Sequence, residues 1–137
     1  MTTNASLPEL EAIVRQFAGV EGGMLPALHA VQHHARYISK DLIPVFADVF
    51  NVTVSEVHGV ITFYHDFKTS PVGRHSVQVC RAEACQSMGS RQLEAHAKQT
   101  LGIDYGETTA DGAVTLEPVY CLGNCACSPS IRIDDAI

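Results

Sequence analysis

The residues whose type and spacing suggest chemistry are the five cysteines, all of which lie in the second half of the 137-residue chain. Cys80 and Cys85 are separated by four residues, Cys121 and Cys125 by three, and thirty-five residues lie between the two pairs. Four thiolates in two chelating pairs suit an iron–sulfur cluster or a structural zinc ion, because soft sulfur ligands select those metals. An odd number of clustered cysteines also favours a metal site over a disulfide framework.

The widths of the two loops bear on which metal they hold. Structural zinc sites usually have two residues between paired cysteines, so that backbone amides wrap a single tetrahedral ion. Four-iron clusters more often use closely spaced runs with two-residue gaps, whereas wider loops fit two irons, each held by one pair. The spacing therefore favours a [2Fe–2S] cluster, with zinc as the alternative. Cys127 is close enough to Cys125 to rival it, but we interpret it as a packing residue.

A cluster held by four thiolates is anionic and needs positive charge or hydrogen-bond donors nearby. Arg81 is a candidate donor, with a solvated loop residue as the alternative interpretation. The predicted helix start at Gly89–Ser90 offers free amides and the positive end of a helix dipole. Gly123 allows the backbone to approach the sulfur atoms closely, unless it serves only a turn.

The first half of the chain is predicted to form four short amphipathic helices. Capping boxes begin at Ser6 and Thr53, each followed three residues later by a glutamate. Short helices with narrow apolar stripes pack on one another or on a neighbouring domain. The apolar positions that define the stripes are Leu7, Leu10, Val14 and Phe17; Leu25, Leu28, Ala35 and Ile38; Leu42, Val45, Phe46, Val49 and Phe50; and Val54, Val57, Ile61 and Tyr64.

The pattern changes after the segment 68–73, which predicts a helical bundle over residues 1–70 and a second domain over 71–137. Alternating residues indicate a strand that runs into Cys80, and a helix is predicted over 90–101. Residues 108–109 and 114–116 flank an Asp-Gly pair that predicts a hairpin, whose second arm we expect to end at Pro118. Alternation at 131–134 predicts a last strand. The predicted fold class is α+β, with a small α/β layer carrying the cysteines.

The bulk composition narrows the function classes. The chain has 46% hydrophobic and 18% charged residues and a formal charge of −6, which is a globular composition without a basic face for nucleic acid. Its longest apolar runs are too short to cross a bilayer, and the N-terminus shows no secretory signal, which predicts a cytoplasmic protein without membrane insertion. We find no dinucleotide or phosphate loop and no nucleophile–base pair, so no catalytic residue is predicted. His29 and His33 are spaced for a metal, but we interpret them as part of a polar helix face.

The cysteine pattern, with its Cys121-Leu-Gly-Asn-Cys125 segment, resembles that of the thioredoxin-like [2Fe–2S] ferredoxins. This family includes the small iron–sulfur subunit of NADH:quinone oxidoreductase and its relatives in NAD-reducing hydrogenases and NAD-dependent formate dehydrogenases. The segment from Glu56 to Tyr64, Glu-Val-His-Gly-Val-Ile-Thr-Phe-Tyr, is similar to a helical segment of the same family. The resemblance covers roughly residues 7 to 134. It implies a thioredoxin-like domain behind a helical bundle and the ligand set Cys80, Cys85, Cys121 and Cys125.

Within the family, three segments look most like the gamma subunit of soluble molybdenum-dependent formate dehydrogenases: 80–86, 106–109 and 125–130. This resemblance implies a non-catalytic electron-transfer subunit of a complex that oxidises formate with NAD. It also implies two partners. One carries FMN, an NAD site and further iron–sulfur clusters, and a larger one carries the molybdenum cofactor.

Two other functions compete with this prediction. The first is the equivalent subunit of a respiratory NADH:quinone oxidoreductase or an NAD-reducing hydrogenase. The second, from a different class, is a zinc-stabilised interaction module without redox chemistry. Family members usually continue into a terminal helix, whereas this sequence stops at Ile137, so we expect a C-terminally truncated chain.

Overall fold

The computed structural model describes residues 5–137, which divide into two compact units, one ending at Pro71 and the other spanning Val72–Ile137. The first unit is helical and the second combines helices with a small sheet. This architecture confirms the predicted α+β fold class, with a helical bundle followed by an α/β layer.

The helical unit contains four α-helices: α1 (Leu7–Arg15), α2 (Met24–Ala35), α3 (Ile43–Phe50) and α4 (Val54–Phe63). A short 3₁₀ turn, Lys40–Leu42, precedes α3. All four predicted helices are present. The second is shorter than its apolar pattern suggested, because Arg36 adopts a left-handed conformation that ends α2 before Ile38.

The stripes predicted from the sequence form the core of this unit. Most of the buried residues belong to those stripes, and burial of such side chains is the main stabilising contribution in a helical bundle. The buried hydrophobic residues of the cluster are Leu10, Val14, Ala27, Leu28, Val31, Ile38, Leu42, Ile43, Phe46, Val57, Ile61 and Phe67.

The second unit is a three-stranded sheet of β1 (His75–Cys80), β2 (Val114–Val119) and β3 (Ile131–Ile133), in the order β2-β1-β3. Two helices, α5 (Glu83–Ser87) and α6 (Ser90–Leu101), connect β1 to β2. Because β1 and β2 are parallel, the chain must cross between them, and the helical connection is the usual solution.

The predicted hairpin is present, and its two arms are joined by backbone hydrogen bonds. The Asp-Gly pair forms its turn, in which the Gly112 amide donates to the Thr109 carbonyl. Across the arms, the Thr109 amide donates to the Val114 carbonyl at 2.9 Å and the Leu116 amide to the Glu107 carbonyl at 3.1 Å.

On its other side, the segment 114–119 pairs in parallel with β1 in a six-residue ladder, a pairing that the sequence analysis did not predict. Pro118 lies within β2 rather than ending it. The described bonds of β2 to the 106–109 arm end at Leu116, so the proline interrupts none of them.

Candidate metal centre

The carboxyl ends of the two parallel strands bring the cysteine-bearing loops together. Cys80 is the last residue of β1 and pairs in register with Val119, the last residue of β2, two positions before Cys121. The Arg81 amide donates to the Val119 carbonyl at 2.7 Å, which ties the first loop to the second at their origin. A parallel pair of strands therefore places both loops at one edge of the sheet.

Short local elements position the second cysteine of each pair. Cys85 lies in α5, an element that the sequence analysis did not predict, and Cys125 begins the 3₁₀ turn Cys125–Cys127. Cys121 has a φ of +95°, an unusual backbone conformation for a residue with a side chain. Such strain tends to occur at functional sites, where the surrounding structure holds it in place.

The geometry of the Cys121–Cys125 pair fits one tetrahedral metal ion. Their Sγ atoms are 3.7 Å apart. Two thiolates bound tetrahedrally to one ion at about 2.3 Å lie about 3.8 Å from each other, so this pair needs little rearrangement to bind one iron. Within residues 5–137, no group of three or more His, Cys, Asp or Glu residues is placed to hold a single metal ion.

The two pairs are close enough to influence one another's ionisation. Contact with the Cys121 thiol is the largest cause that raises the pKa of Cys125, and the charges of Cys85 and Cys80 raise it further. In contrast, the pKa of Cys85 is lowered, primarily by its contact with Ser128, and also by Cys80 and the Ser130 amide. The four predicted ligands therefore lie close enough for the ionisation of one thiol to affect the pKa of another.

The pairs differ in their access to solvent. Cys80 and Cys85 are each only 2% exposed, whereas Cys121, Cys125 and Cys127 are exposed. The interpretation of Cys127 as a packing residue is therefore wrong. The tight 3₁₀ turn that carries it leaves its side chain outside the core.

The expected hydrogen-bond donors are partly realised. The Gly123 amide lies 3.3 Å from Cys121 Sγ, so the glycine supplies a donor to this sulfur. At the other loop, Ser90 starts α6 as predicted, and its buried hydroxyl donates to the Cys80 carbonyl at 2.6 Å. This bond attaches the end of β1 to the start of the helix.

The charge of Arg81 is paired with a carboxylate. Its Nε lies 2.9 Å from the Glu94 carboxylate, which also lies 3.4 Å from Lys98 Nζ. Lys98 contacts Asp104 at 2.8 Å, and both cations lie over the Tyr105 ring. Arg81 is thus one member of a charge network defined by Arg81, Glu94, Lys98 and Asp104, which carries no net charge.

The sequence analysis missed two serines that follow the fourth predicted ligand. Ser128 Oγ lies 3.5 Å from Cys85 Sγ, and the buried Ser130 accepts a hydrogen bond from the Cys80 amide through its carbonyl. The available signal was the pair of serines on either side of Pro129, but the contacts of these serines depend on how the two loops meet.

His29 of the helical unit makes local contacts. It packs against the Phe67 ring, with 4.8 Å between centroids, and its Nδ1 lies 3.8 Å from Asp66. These contacts agree with the interpretation of His29 as a surface residue of its helix. Among residues 5–137, no helix is long and apolar enough to span a membrane.

Comparison with known proteins identifies relatives over most of the chain. The sequence is 36% identical to an NADH-quinone oxidoreductase subunit of Pseudomonas aeruginosa over 126 residues, which cover 92% of this chain and 76% of the relative. It is also 36% identical over 133 residues to the corresponding subunit of Escherichia coli K12, covering 95% and 80% of the two chains.

The fold has a counterpart among solved structures. A crystal structure of an air-oxidised NAD⁺-reducing [NiFe]-hydrogenase matches with a TM-score of 0.69 and 23% identity. The match covers 87% of this chain and only 20% of that chain, so it establishes similarity of fold. The sequence profile described as thioredoxin-like [2Fe-2S] ferredoxin matches residues 10–137. This chain therefore belongs to the thioredoxin-like [2Fe–2S] ferredoxin family.

Proposed function

We propose that Cys80, Cys85, Cys121 and Cys125 hold one [2Fe–2S] cluster, and that the chain serves as a one-electron-transfer subunit of an NAD-linked oxidoreductase. The observation that carries the proposal is the convergence of two cysteine pairs at one edge of the sheet, with 3.7 Å between the sulfur atoms of the second pair. When bound, such a cluster accepts and releases single electrons.

The chain's own residues supply the environment of that cluster. The buried Cys80 and Cys85 would hold their part of the cluster away from water, and the Gly123 amide would donate to the Cys121 sulfur. Burial and hydrogen bonds to the sulfurs are the usual means by which a protein adjusts the potential of a cluster. We assign no catalytic residue to the chain.

The ligand set is tested by metal analysis of the anaerobically purified protein and its single Cys→Ala variants. We expect red-brown protein with about two irons per chain that bleaches on addition of dithionite, as a [2Fe–2S] centre requires. Loss of Cys80, Cys85, Cys121 or Cys125 should abolish the spectrum, whereas Cys127→Ala is the matched control and should retain it. A colourless chain with stoichiometric zinc, made under iron-replete anaerobic conditions, would support the zinc-stabilised module instead.

We further propose that the complex is a soluble, cytoplasmic NAD-dependent formate dehydrogenase. The resemblance of segments 80–86, 106–109 and 125–130 to its gamma subunit supports this assignment. The partners would then be a subunit that carries FMN, NAD and further clusters, and a larger subunit that oxidises formate at a molybdenum cofactor.

The second candidate is the equivalent subunit of a respiratory or hydrogenase complex. It is favoured by the names of the relatives at 36% identity, which are NADH-quinone oxidoreductase subunits. Affinity purification from the native cell decides between the two. Co-purification of molybdenum, with formate-dependent reduction of NAD, would support the formate dehydrogenase. Quinone reductase or nickel-containing partners without molybdenum would contradict it.

A further inference from the structure

Ser128 lies between the two loops that carry the proposed ligands. Its hydroxyl donates to the Cys125 carbonyl at 2.7 Å, and its Oγ is 3.5 Å from Cys85 Sγ. Cys85 belongs to the buried pair and Cys125 to the exposed pair. One half-buried hydroxyl therefore contacts a residue of each pair.

The hydrogen bonds of Ser128 would change when Cys85 ligates a metal. In the described structure, the Cys85 thiol can donate to Ser128 Oγ while the serine hydroxyl donates to the Cys125 carbonyl. A cysteine that ligates a metal is a thiolate and has no proton to donate. Two acceptors, the Cys85 sulfur and the Cys125 carbonyl, then share the single hydroxyl proton of Ser128.

The charge on the sulfur decides which acceptor the hydroxyl faces. Hydrogen bonds to an ionised acceptor are roughly twice as strong as those between neutral groups. The Cys125 carbonyl can lose this donor at small cost, because the contact is exposed and water can replace it. We therefore expect the hydroxyl to rotate about its Cβ–Oγ bond toward Cys85 when the sulfur carries more negative charge. The covalent O–H bond stays intact, and only the hydrogen bond to the Cys125 carbonyl is given up.

We propose that the Ser128 hydroxyl raises the reduction potential of the cluster by donating a hydrogen bond to Cys85 Sγ. This inference rests on the ligand set proposed above. Reduction adds one electron, supplied by an external one-electron donor, and increases the negative charge shared by the ligand sulfurs. An O–H donor beside one of those sulfurs stabilises the reduced form more than the oxidised form.

The chain provides a matched control in Ser87. Its hydroxyl donates to the Ala84 carbonyl, also at 2.7 Å, within the α5 helix that carries Cys85. Ser87→Ala thus removes the same type of serine-to-carbonyl contact from a ligand-bearing segment. Because the described contact of Ser87 is to a carbonyl oxygen and not to a sulfur, its loss should leave the potential unchanged.

The test is a redox titration of the anaerobically purified full chain, followed by visible absorbance and electron paramagnetic resonance. At the wild-type midpoint potential, we expect a several-fold lower ratio of reduced to oxidised protein in Ser128→Ala. Ser128→Thr, which keeps the hydroxyl, and Ser87→Ala should match the wild type. After exchange into D₂O, pulsed electron paramagnetic resonance of the reduced wild type should show a coupling from the Ser128 hydroxyl deuteron. Ser128→Ala should lack this coupling, and Ser87→Ala should retain it.

An intact cluster in Ser128→Ala with the wild-type potential would overturn the inference, whatever its deuteron coupling. Ser128→Gly is the second hydroxyl-free variant if Ser128→Ala loses its cluster. Loss of the cluster from both, with retention in Ser128→Thr, would make Ser128 an assembly residue and also overturn the inference. A wild-type chain without a [2Fe–2S] spectrum is a different result, because it would remove the ligand set on which both proposals stand.

Discussion

The two proposed ligand pairs differ in their exposure to solvent. Cys80 and Cys85 are buried, whereas Cys121 and Cys125 are exposed, and the raised pKa of Cys125 reflects its contact with Cys121. Deprotonating all four thiols at one place is unfavourable without a metal, because each new thiolate repels the others. Metal binding and thiol ionisation are therefore coupled in this site.

At the residue scale, the charge network of Arg81, Glu94, Lys98 and Asp104 predicts shifts of opposite sign in the cluster potential. Glu94→Gln leaves Arg81 and Lys98 without their shared carboxylate, and the added positive charge should favour the reduced cluster several-fold. Arg81→Gln should favour the oxidised cluster. Spectroelectrochemical titration of both variants at low and high salt measures the effect, and the shifts should shrink at high salt.

Equal shifts of the same sign in Glu94→Gln and Arg81→Gln would contradict this prediction. Such a result would mean that the substitutions act through displacement of the loop after Cys80 and not through charge.

At the scale of elements, reciprocal hydrogen bonds define the start of α4. The Thr53 amide donates to the Glu56 carboxylate at 2.7 Å, and the Glu56 amide donates to Thr53 Oγ1 at 3.2 Å. The capping box read from the sequence is thus realised as two local bonds. Such pairs form because they satisfy backbone amides that have no partner within the helix.

Thr53→Ala should lower the free energy of unfolding by about 1 kcal/mol, the usual cost of losing a threonine cap. The measurement is urea unfolding followed by far-ultraviolet circular dichroism. Ser55→Ala, at an exposed position in the first turn of the same helix, is the control and should change stability little. A Thr53→Ala variant as stable as Ser55→Ala would show that the cap does not contribute.

The same capping box predicts a pH dependence. Hydrogen bonds from the Thr53 amide and then its side chain lower the pKa of Glu56 in the folded protein. The carboxylate therefore stabilises the folded state fully above the unfolded-state value of about 4.3, and this contribution is lost as the pH falls through the folded value.

Glu56→Gln tests that sign. The wild type should be more stable than this variant at pH 6, and the difference should shrink as the pH is lowered below about 4. Urea unfolding of both proteins across this range measures it. A difference that stays constant or grows on acidification would contradict the prediction.

At the scale of the whole molecule, the described contacts of the proposed ligands all lie within the unit Val72–Ile137. Removal of the cluster should therefore weaken this unit in particular, because metal binding contributes directly to the stability of the segments that supply the ligands. The helical unit has its own buried core of hydrophobic residues.

Hydrogen exchange before and after iron chelation checks this expectation. Protection should fall in the loops around residues 81–88 and 120–130, and that of α1 to α4 should stay within error. Equal loss of protection in the helices would show that the two units unfold as one.

Much of the fold was predictable because its signals are local. The four helices of the first unit follow from apolar periodicity and two capping boxes, and the strand that ends at Cys80 follows from alternation. The hairpin follows from its Asp-Gly turn, because that turn specifies a local reversal of the chain. No local pattern specifies that the second arm also pairs in parallel with β1. Helix α5 was missed because five residues are too few for a periodic signal.

Residue types at short or specific spacings indicated the α+β class and carried the resemblance to the family, which in turn implied the candidate ligands. The parallel pairing of β1 with β2, the burial of one cysteine pair and exposure of the other, and the contact of Ser128 with Cys85 became known from the folded chain alone. The same is true of the pairing of Arg81 with Glu94. These features join residues 13 to 43 positions apart, and such contacts depend on how strands and loops pack and not on any local pattern.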